Sequence, residues 1–515
     1  MSARVMHFFL LFAMITHALC LKLEEPMVTS ACARAAHVDA CLTPTPSSDG
    51  GLPQLHTLAQ MQQKAVRVVR DGVARARAWA SLGLDESDRD RHVAYDGIAL
   101  GDCVQLYEDS EHRLRYLQGL HEHEDARTWL SASLTSHRTC LDGLRERNCS
   151  APQVMENLTV LLTDALALYA WPTKKSYRQH WKQVENLGLL GSWNASSRKA
   201  DFVVAKDGSG NYKTINEAVA ALAQRGHRRP YRVVIYVKSG VYVENVEIDR
   251  DMKNVMFVGD GIDRTIVTGS QNVPDGSTTF RSATFGVSGD GFWARDMTFE
   301  NTAGPEKQQA VALRVGSDLS VFYRCSFKGY QDTLLLHSQR QFYRDCHVYG
   351  TIDFIFGNAA AVLQNCDIYV RRPMGHQANM ITAQGRSDPN ENTGISVHES
   401  RIRPAPDFQG VKGSFETYLG RPWQKFSRTV FMKSDLDGLI NPKGWAQWSG
   451  NFGLDTLYFG EYMNTGTGAS TSRRVKWHGF HVLKDPQDTA PFTVSRFIQG
   501  ESWIPATGVP FGPGL

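Results

Sequence analysis

The chain has 515 residues, more than one ordinary hydrophobic core accommodates, so two domains are expected. Charged residues make up 21% and hydrophobic ones 42%, a soluble globular composition, and a net charge of +3 is too small to indicate nucleic-acid binding. At most, that charge tolerates an acidic polymer as partner. CxxC and HExxH spacings are absent, so the sequence supports no zinc site and no cofactor.

In chain order, Arg4 precedes an apolar run from Phe8 to Ile15, with Ala18 and Cys20 beyond it. A basic start, a short apolar run and small residues form a secretory signal peptide over residues 1–20. The run is too short to span a bilayer and no other stretch of about 18 apolar residues occurs, so a secreted, extracellular, membrane-free protein is expected. Sequons at Asn148, Asn157 and Asn194 suit that route. Eight cysteines follow Cys20, and an oxidising compartment favours disulfides. Cys32/Cys41 and Cys103/Cys140 are candidate pairs, the first in an N-terminal hairpin and the second between facing helices.

Residues from about 56 to 171 read as helices. His56–Leu82 has apolar spacing of three and four, and Leu158, Leu161, Leu162, Ala165, Leu168 and Tyr169 form one stripe. Pro152 marks a helix start and Pro172 follows the last apolar turn. Four such segments with short connections argue for an antiparallel four-helix bundle over residues 21–171. Residues 172–200 turn polar and basic, with dibasic pairs Lys174-Lys175 and Arg198-Lys199, and read as a linker and processing region. From residue 201 to 515 the period changes to short β runs: Phe202–Ala205, Tyr231–Val237 and Asn254–Val258. One helix is predicted, from Thr214 to Arg225.

A repeat then sets in. Phe322-Tyr-Arg-Cys325 and Phe342-Tyr-Arg-Asp-Cys346 are each followed, seven positions after the cysteine, by an aspartate, Asp332 and Asp353. A third copy runs from Val362 through Cys366, and Phe292–Phe299 resembles an earlier one. Short strands at a period of roughly 20 to 30 residues, divided by Gly, Asn and Asp, indicate stacked parallel coils, a right-handed parallel β-helix. Equivalent positions on neighbouring coils lie about 4.8 Å apart, so the two carboxylates should sit one above the other. Like charges at that spacing cannot both ionise cheaply, which leaves one acid protonated and one anionic. An Asp in a coil turn often only caps a loop. Here the flanks Gly329-Tyr-Gln331 and Phe354-Ile-Phe356 are aromatic and apolar, which favours a site.

The second half resembles the plant pectin methylesterases from about Asp201 to Leu515. The motifs are Gly240-Val-Tyr242-Val-Glu244, Gln309-Ala-Val-Ala-Leu-Arg314, Gly329-Tyr-Gln331-Asp332, Gly350-Thr-Ile-Asp353-Phe-Ile-Phe-Gly-Asn-Ala359 and Leu419-Gly-Arg421-Pro-Trp423. The first half resembles the invertase and pectin methylesterase inhibitor family through Ala99–Tyr107, Trp129–Thr135 and Thr139–Asp142. The resemblance implies hydrolysis of pectin (homogalacturonan) methyl esters at the cell wall, with Asp353 as the anionic nucleophile and Asp332 as the acid–base. It further implies Gln309 and Gln331 as oxyanion donors, Arg421 as the partner of Asp353, and Thr279, Gln309, Arg421 and Trp423 as substrate contacts. The enzyme is expected to act as a monomer, with its own pro-region or a separate inhibitor bundle as partner. Repeat geometry permits Cys346–Cys366 and Cys325–Cys346 disulfides alike; the resemblance favours Cys346–Cys366. Cys149 is an extra thiol within a sequon. Leu335 stands where Tyr is usual and Ser400 where Cys is common, both away from the expected chemistry, and the usual processing signal is missing from the linker.

Rival readings lose on particular residues. A pectin glycoside hydrolase also uses two close carboxylates, yet the Gly-His-Gly and Arg-Ile-Lys motifs of polygalacturonases are absent, and paired amides suit a carbonyl oxyanion better. A serine esterase lacks its Gly-x-Ser-x-Gly. A pectin-binding or inhibitor protein with a silent second half is disfavoured by the intact Asp332, Asp353, Gln331 and Arg421.

Overall fold

The computed structural model describes residues 58–84, 96–117, 123–170, 188–226 and 232–515; the expected signal peptide, Cys32, Cys41 and Lys174-Lys175 lie outside the described residues. They fall into two compact units, one helical and one made of stacked β-coils.

Four helices build the first unit: α1 (Leu58–Leu84), α2 (Gly97–Tyr116), α3 (His123–Glu146) and α4 (Gln153–Tyr169). In α1, Val66, Val69, Val73, Ala76 and Ala80 are buried at alternating spacings of three and four, the stripe a helix needs to face a core. Asp96 caps α2 by accepting the N–H groups of Ile98 and Ala99 at 2.9 and 3.2 Å. The α4 stripe is buried through Leu158, Leu162, Ala165, Leu168 and Tyr169, with Leu161 half-buried. Cys103 and Cys140 are disulfide-bonded, joining α2 to α3 with Cα atoms 4.7 Å apart. Across the core, Tyr107 Oη lies 2.9 Å from His137 Nδ1, and His137 Nε2 lies 2.8 Å from Thr159 Oγ1. One imidazole thus ties three helices together.

The second unit is a parallel β-helix of three sheets with eleven, seven and eight strands, each strand pairing with those one coil before and after. The register carries Phe322 onto Tyr343, Leu363 and Val397 in turn, a continuous inner column. Phe322 and Tyr343 stack with ring centroids 5.0 Å apart. Helix α5 (Leu189–Ser192) precedes the first strand, Phe202–Val204. The helix expected from Thr214 is α6 (Ile215–Gln224), with Thr214 and Glu217 forming a capping box. Glu244, from the Gly240–Glu244 motif, accepts the N–H groups of Ile215 and Asn216 at 2.9 Å each, so that motif ties α6 to the coils.

Each corner between the eleven- and eight-stranded sheets uses two residues. The first is left-handed at Asp296, Arg324, Asp345, Asn365, Glu399 and Lys433, with φ of 58, 50, 53, 53, 52 and 48°. The second forms an inward column: Met297, Cys325, Cys346, Cys366, Ser400 and Ser434. Here the structure corrects the expected Cys346–Cys366 disulfide: Cys325, Cys346 and Cys366 are all free, buried thiols. The corner directs each thiol at main-chain carbonyls. Cys346 donates to Phe322 O and Arg344 O at 3.4 and 3.3 Å, and Cys366 to Tyr343 O and Gln364 O at 3.6 Å each. Ser400, next in the column, repeats this pattern with Leu363 O and His398 O. Equal stacking singles out no pair, and Cys346 and Cys366 each reach a carbonyl of their own coil and one of the coil before.

Two outcomes follow. Mass spectrometry of protein alkylated while denatured but unreduced should find Cys325, Cys346 and Cys366 modified; a Cys346–Cys366 cross-link would contradict the corner geometry. Burial holds the His137 imidazole down to about 3. The unfolded chain takes up that proton near pH 6.5, so this contribution is complete above pH 6.5 and is lost as pH falls toward 3. The slope is at most about 1.4 kcal/mol per pH unit. Urea unfolding followed by helical circular dichroism should show that slope, and His137→Gln should flatten it.

Candidate active site

Asp332 and Asp353 occupy the corner that feeds the seven-stranded sheet. Two residues after each acid, Leu334 and Ile355 are register partners, so the acids hold equivalent places on adjacent coils. Both are left-handed, with φ of 62 and 51°, a conformation that Asp tolerates better than most residues. The Asp332 N–H donates to Ile352 O at 3.0 Å, which joins the two corners directly. Arg371 braces the first corner: its guanidinium donates to Gly329 O and to Tyr330 Oη at 3.0 and 2.6 Å.

Only 7% of Asp332 and 5% of Asp353 is exposed, so both carboxyls lack bulk hydration. Burial raises both pKa values; for Asp332 the Asp353 charge raises it further, to well above the carboxylate range. For Asp353 the rise from burial is opposed by Arg421. Arg421 Nε and Nη2 donate to the two Asp353 oxygens at 2.8 and 2.5 Å, a bidentate pair that stabilises the anion. Burial leaves the Asp353 pKa raised on balance, but Arg421 favours its anionic form, whereas burial and the Asp353 charge together disfavour the anion at Asp332.

Alternate residues of the seven-stranded sheet face outward, and the register aligns Arg314, Leu335, Phe356, Ala383 and Arg421 in one column. Since Arg421 reaches Asp353 from this column, the acids and the column share a face. Leu335 belongs to the apolar cluster of Val311, Phe356 and Ala383, against which Trp423 packs. The Trp423 and Phe356 ring centroids are 6.0 Å apart. Arg314 marks the other end, bonded to Glu247 at 2.5 Å and lying 3.6 Å over the Phe280 ring. Thr279 is half-buried in the turn just before Phe280.

Gln331 directly precedes Asp332, and its carbonyl accepts the Ala310 N–H at 3.3 Å, which places Gln309 on the neighbouring coil. Both side chains are half-buried. All seven expected site residues therefore belong to one outward face of the coil stack or to the turn leading into it.

Two elements escaped the sequence reading. Trp448 is 38% exposed, and its ring lies 4.3 Å beneath the Arg421 guanidinium. An aromatic in the polar loop Trp448-Ser-Gly was the available signal. A buried polar network also closes the far end of the strands carrying Phe356 and Arg421. Gln384 Nε2 donates to Asn358 Oδ1 at 3.0 Å, Asn358 Nδ2 donates to Glu391 Oε2 at 2.6 Å, and Gln384 Oε1 accepts the N–H groups of Arg386 and Arg428. Its members are scattered over 71 residues of sequence, so no local motif announces it.

Residues 201–501 match the Pectinesterase family, and residues 26–168 match the family described as Plant invertase/pectin methylesterase inhibitor. The chain is 57% identical over 491 residues to the Arabidopsis thaliana protein named Probable pectinesterase/pectinesterase inhibitor 36, covering 87% of this chain and 94% of that one. It is 53% identical over 424 residues to Pectinesterase 2 of Citrus sinensis, covering 80% and 81%. Among solved structures, the pectin methylesterase from carrot shares 57% identity at a TM-score of 0.60, covering 62% of this chain and all of that one. The Aspergillus niger pectin methylesterase in deglycosylated form shares 30% identity at a TM-score of 0.52, covering 60% and 96%.

The electrostatic assignment is testable on the protein alone. Removing the Arg421 charge in Arg421→Gln should raise the Asp353 pKa by roughly 1 to 3 units. Carboxylate infrared difference spectra across a pH titration, with Asp353→Asn to assign the band, would measure it. An unmoved Asp353 band would show that Arg421 does not hold the anion.

Proposed function

Because the chain belongs to the pectinesterase family, we propose that it hydrolyses the methyl esters of homogalacturonan pectin, releasing methanol and leaving free galacturonate. The observation that carries this reading is the Arg421-bound Asp353 carboxylate one coil from a carboxyl that burial and Asp353 keep protonated.

An Asp353 oxygen attacks the ester carbonyl carbon, and the carbonyl electrons become an oxyanion that the Gln309 and Gln331 amides receive. The intermediate collapses, the carbon–methoxy bond breaks, and Asp332 gives its proton to the departing oxygen, forming methanol. An acyl anhydride on Asp353 remains. Asp332, now ionised, removes a proton from water, which attacks the acyl carbon and restores the Asp353 carboxylate and the protonated Asp332. Arg421 fixes the nucleophile's direction, while Trp423 and Thr279 hold the sugar chain. The apolar column of Leu335, Phe356 and Ala383 excludes water from the anhydride.

The organisation proposed with this chemistry is a signal peptide at residues 1–20, an inhibitor-like bundle at 21–171, a basic linker at 172–200 and the catalytic β-helix at 201–515. The protein is secreted to the cell wall and acts as a monomer, with pectin as substrate and its own pro-region or a separate inhibitor bundle as partner. No helix among the described residues is long and apolar enough to cross a membrane.

Methanol release from methylated pectin, measured beside reducing-end formation, separates an esterase from a glycoside hydrolase. Asp353→Asn and Asp332→Asn should each abolish methanol release with the fold intact; near wild-type turnover in either would end the two-carboxylate mechanism. Gln331→Ala should lower kcat by about 10² to 10³, the cost of one oxyanion donor. A change in KM alone would make Gln331 a binding residue.

A further inference from the structure

The residues just before the first strand are built into the β-helical unit. Gly188, α5 and Trp193 fill a groove on the outer face of the eleven-stranded sheet, where Leu190 is fully buried and Trp193 is 4% exposed. The groove is lined by Met256, Trp293, Val321, Ile504 and Val509. The Trp193 ring lies 5.2 Å from that of Tyr236. A one-turn helix leaves its final carbonyls without helical partners, and a buried arginine supplies them. Arg295 Nη1 donates to Leu190 O and Gly191 O at 2.6 and 3.1 Å, and Nη2 donates to Trp193 O at 2.7 Å. Arg295 is 7% exposed, and its Nε faces Asp296 at 2.8 Å.

The C-terminal segment closes the other side of the groove. Gly188 N–H donates to Ala506 O at 3.0 Å. Gly191 approaches Gly508 so closely that a Cβ added there would lie 2.2 Å from Gly508 O, so no side chain fits. Gly508, at φ +72°, turns the chain to permit this approach.

Immediately downstream the character reverses. Asn194 to Lys199 are all exposed, in a turn where the N–H groups of Ser197 and Arg198 donate to Asn194 O at 3.1 and 2.9 Å. The dibasic pair Arg198-Lys199 is therefore presented to a protease, while the residues before it are locked in place.

We propose that this groove is a binding site for the chain's own upstream segment and that it outlasts cleavage. A trypsin-like protease hydrolysing the peptide bond after Arg198 or Lys199 nicks the chain without releasing it. Gly188–Trp193 stays seated through the Arg295 hydrogen bonds, the buried Leu190 and Trp193, and the Gly191–Gly508 contact. Everything N-terminal to the nick remains attached through this seat, so release requires a second event: unseating of the segment, or a cut upstream of Gly188.

The test uses the full-length chain with Ser196–Lys199 replaced by the recognition sequence of a site-specific protease. After cleavage, gel filtration at low concentration should show both fragments eluting together and separating only in denaturant. In the same background, Gly191→Val should separate after cleavage while its uncut form keeps the near-ultraviolet circular dichroism of the parent. Trp193→Ala, which adds no bulk, is the second variant should Gly191→Val fail to fold, and it too should separate. Separation of the parent fragments overturns the proposal. So does continued co-elution of the folded variants, because something other than the seat would then join the fragments.

Discussion

In-register stacking of parallel coils is the constraint on which the rest of the β-helical unit depends. A strand in such a stack hydrogen-bonds only to the coils before and after it, so a residue type at one place in the repeat returns at one strand spacing. The consequences differ with the chemistry repeated. Aromatic residues at inner positions, Phe322 and Tyr343 among them, become a continuous stacked core. Cysteines at the inward corner position become a file of thiols served by main-chain carbonyls. Aspartates at another corner become two carboxyls close enough to resist joint ionisation. One geometric rule yields a core, a structural file and a coupled pair of buried acids.

Stacking alone leaves the two acids alike. They are told apart by what the seven-stranded sheet adds at one end: Arg421 stands two coils beyond Phe356 and reaches back to Asp353 with both hydrogen bonds of its fork. Trp448 lies under the guanidinium face, and the Asn358–Gln384–Glu391 network fixes the strand ends next to it. Burial of both carboxyls makes the asymmetry count, since charge interactions strengthen where water is excluded. The asymmetry between the two acids is thus set by what the sheet's outward face places beside one of them.

The helical unit and the β-helical unit solve the problem of buried polarity differently. In the bundle, one neutral imidazole is shared among Tyr107, His137 and Thr159, and a disulfide fixes two helices. Around α5, a charged guanidinium is buried instead, matched to carbonyls that a one-turn helix cannot satisfy by itself. Both arrangements hold a sequence-distant segment through hydrogen bonds to a buried polar group.

Much of this was legible in the sequence because it is local or periodic. The change from a spacing of three and four to short β runs separates the two units, Thr214 and Glu217 announce α6, and the repeated cysteine-to-aspartate spacing places the acids on adjacent coils. Family motifs then single out Gln309, Gln331, Arg421 and Trp423. What the sequence could not supply depends on direction and on long-range neighbours. A repeat puts Cys325, Cys346 and Cys366 in one file, but only the folded corners show that the thiols stay free and reach main-chain carbonyls. The composition of residues 172–200 reads as a polar, basic linker, yet Leu190 and Trp193 are buried in a groove that Arg295 and Gly508, more than a hundred and three hundred residues away, help to form. Trp448 gains its place beside Arg421 in the same way. Periodicity fixes which residues stack; the tertiary structure decides which way they point and what they desolvate, because burial is a property of the whole packed surface and not of the chain's order.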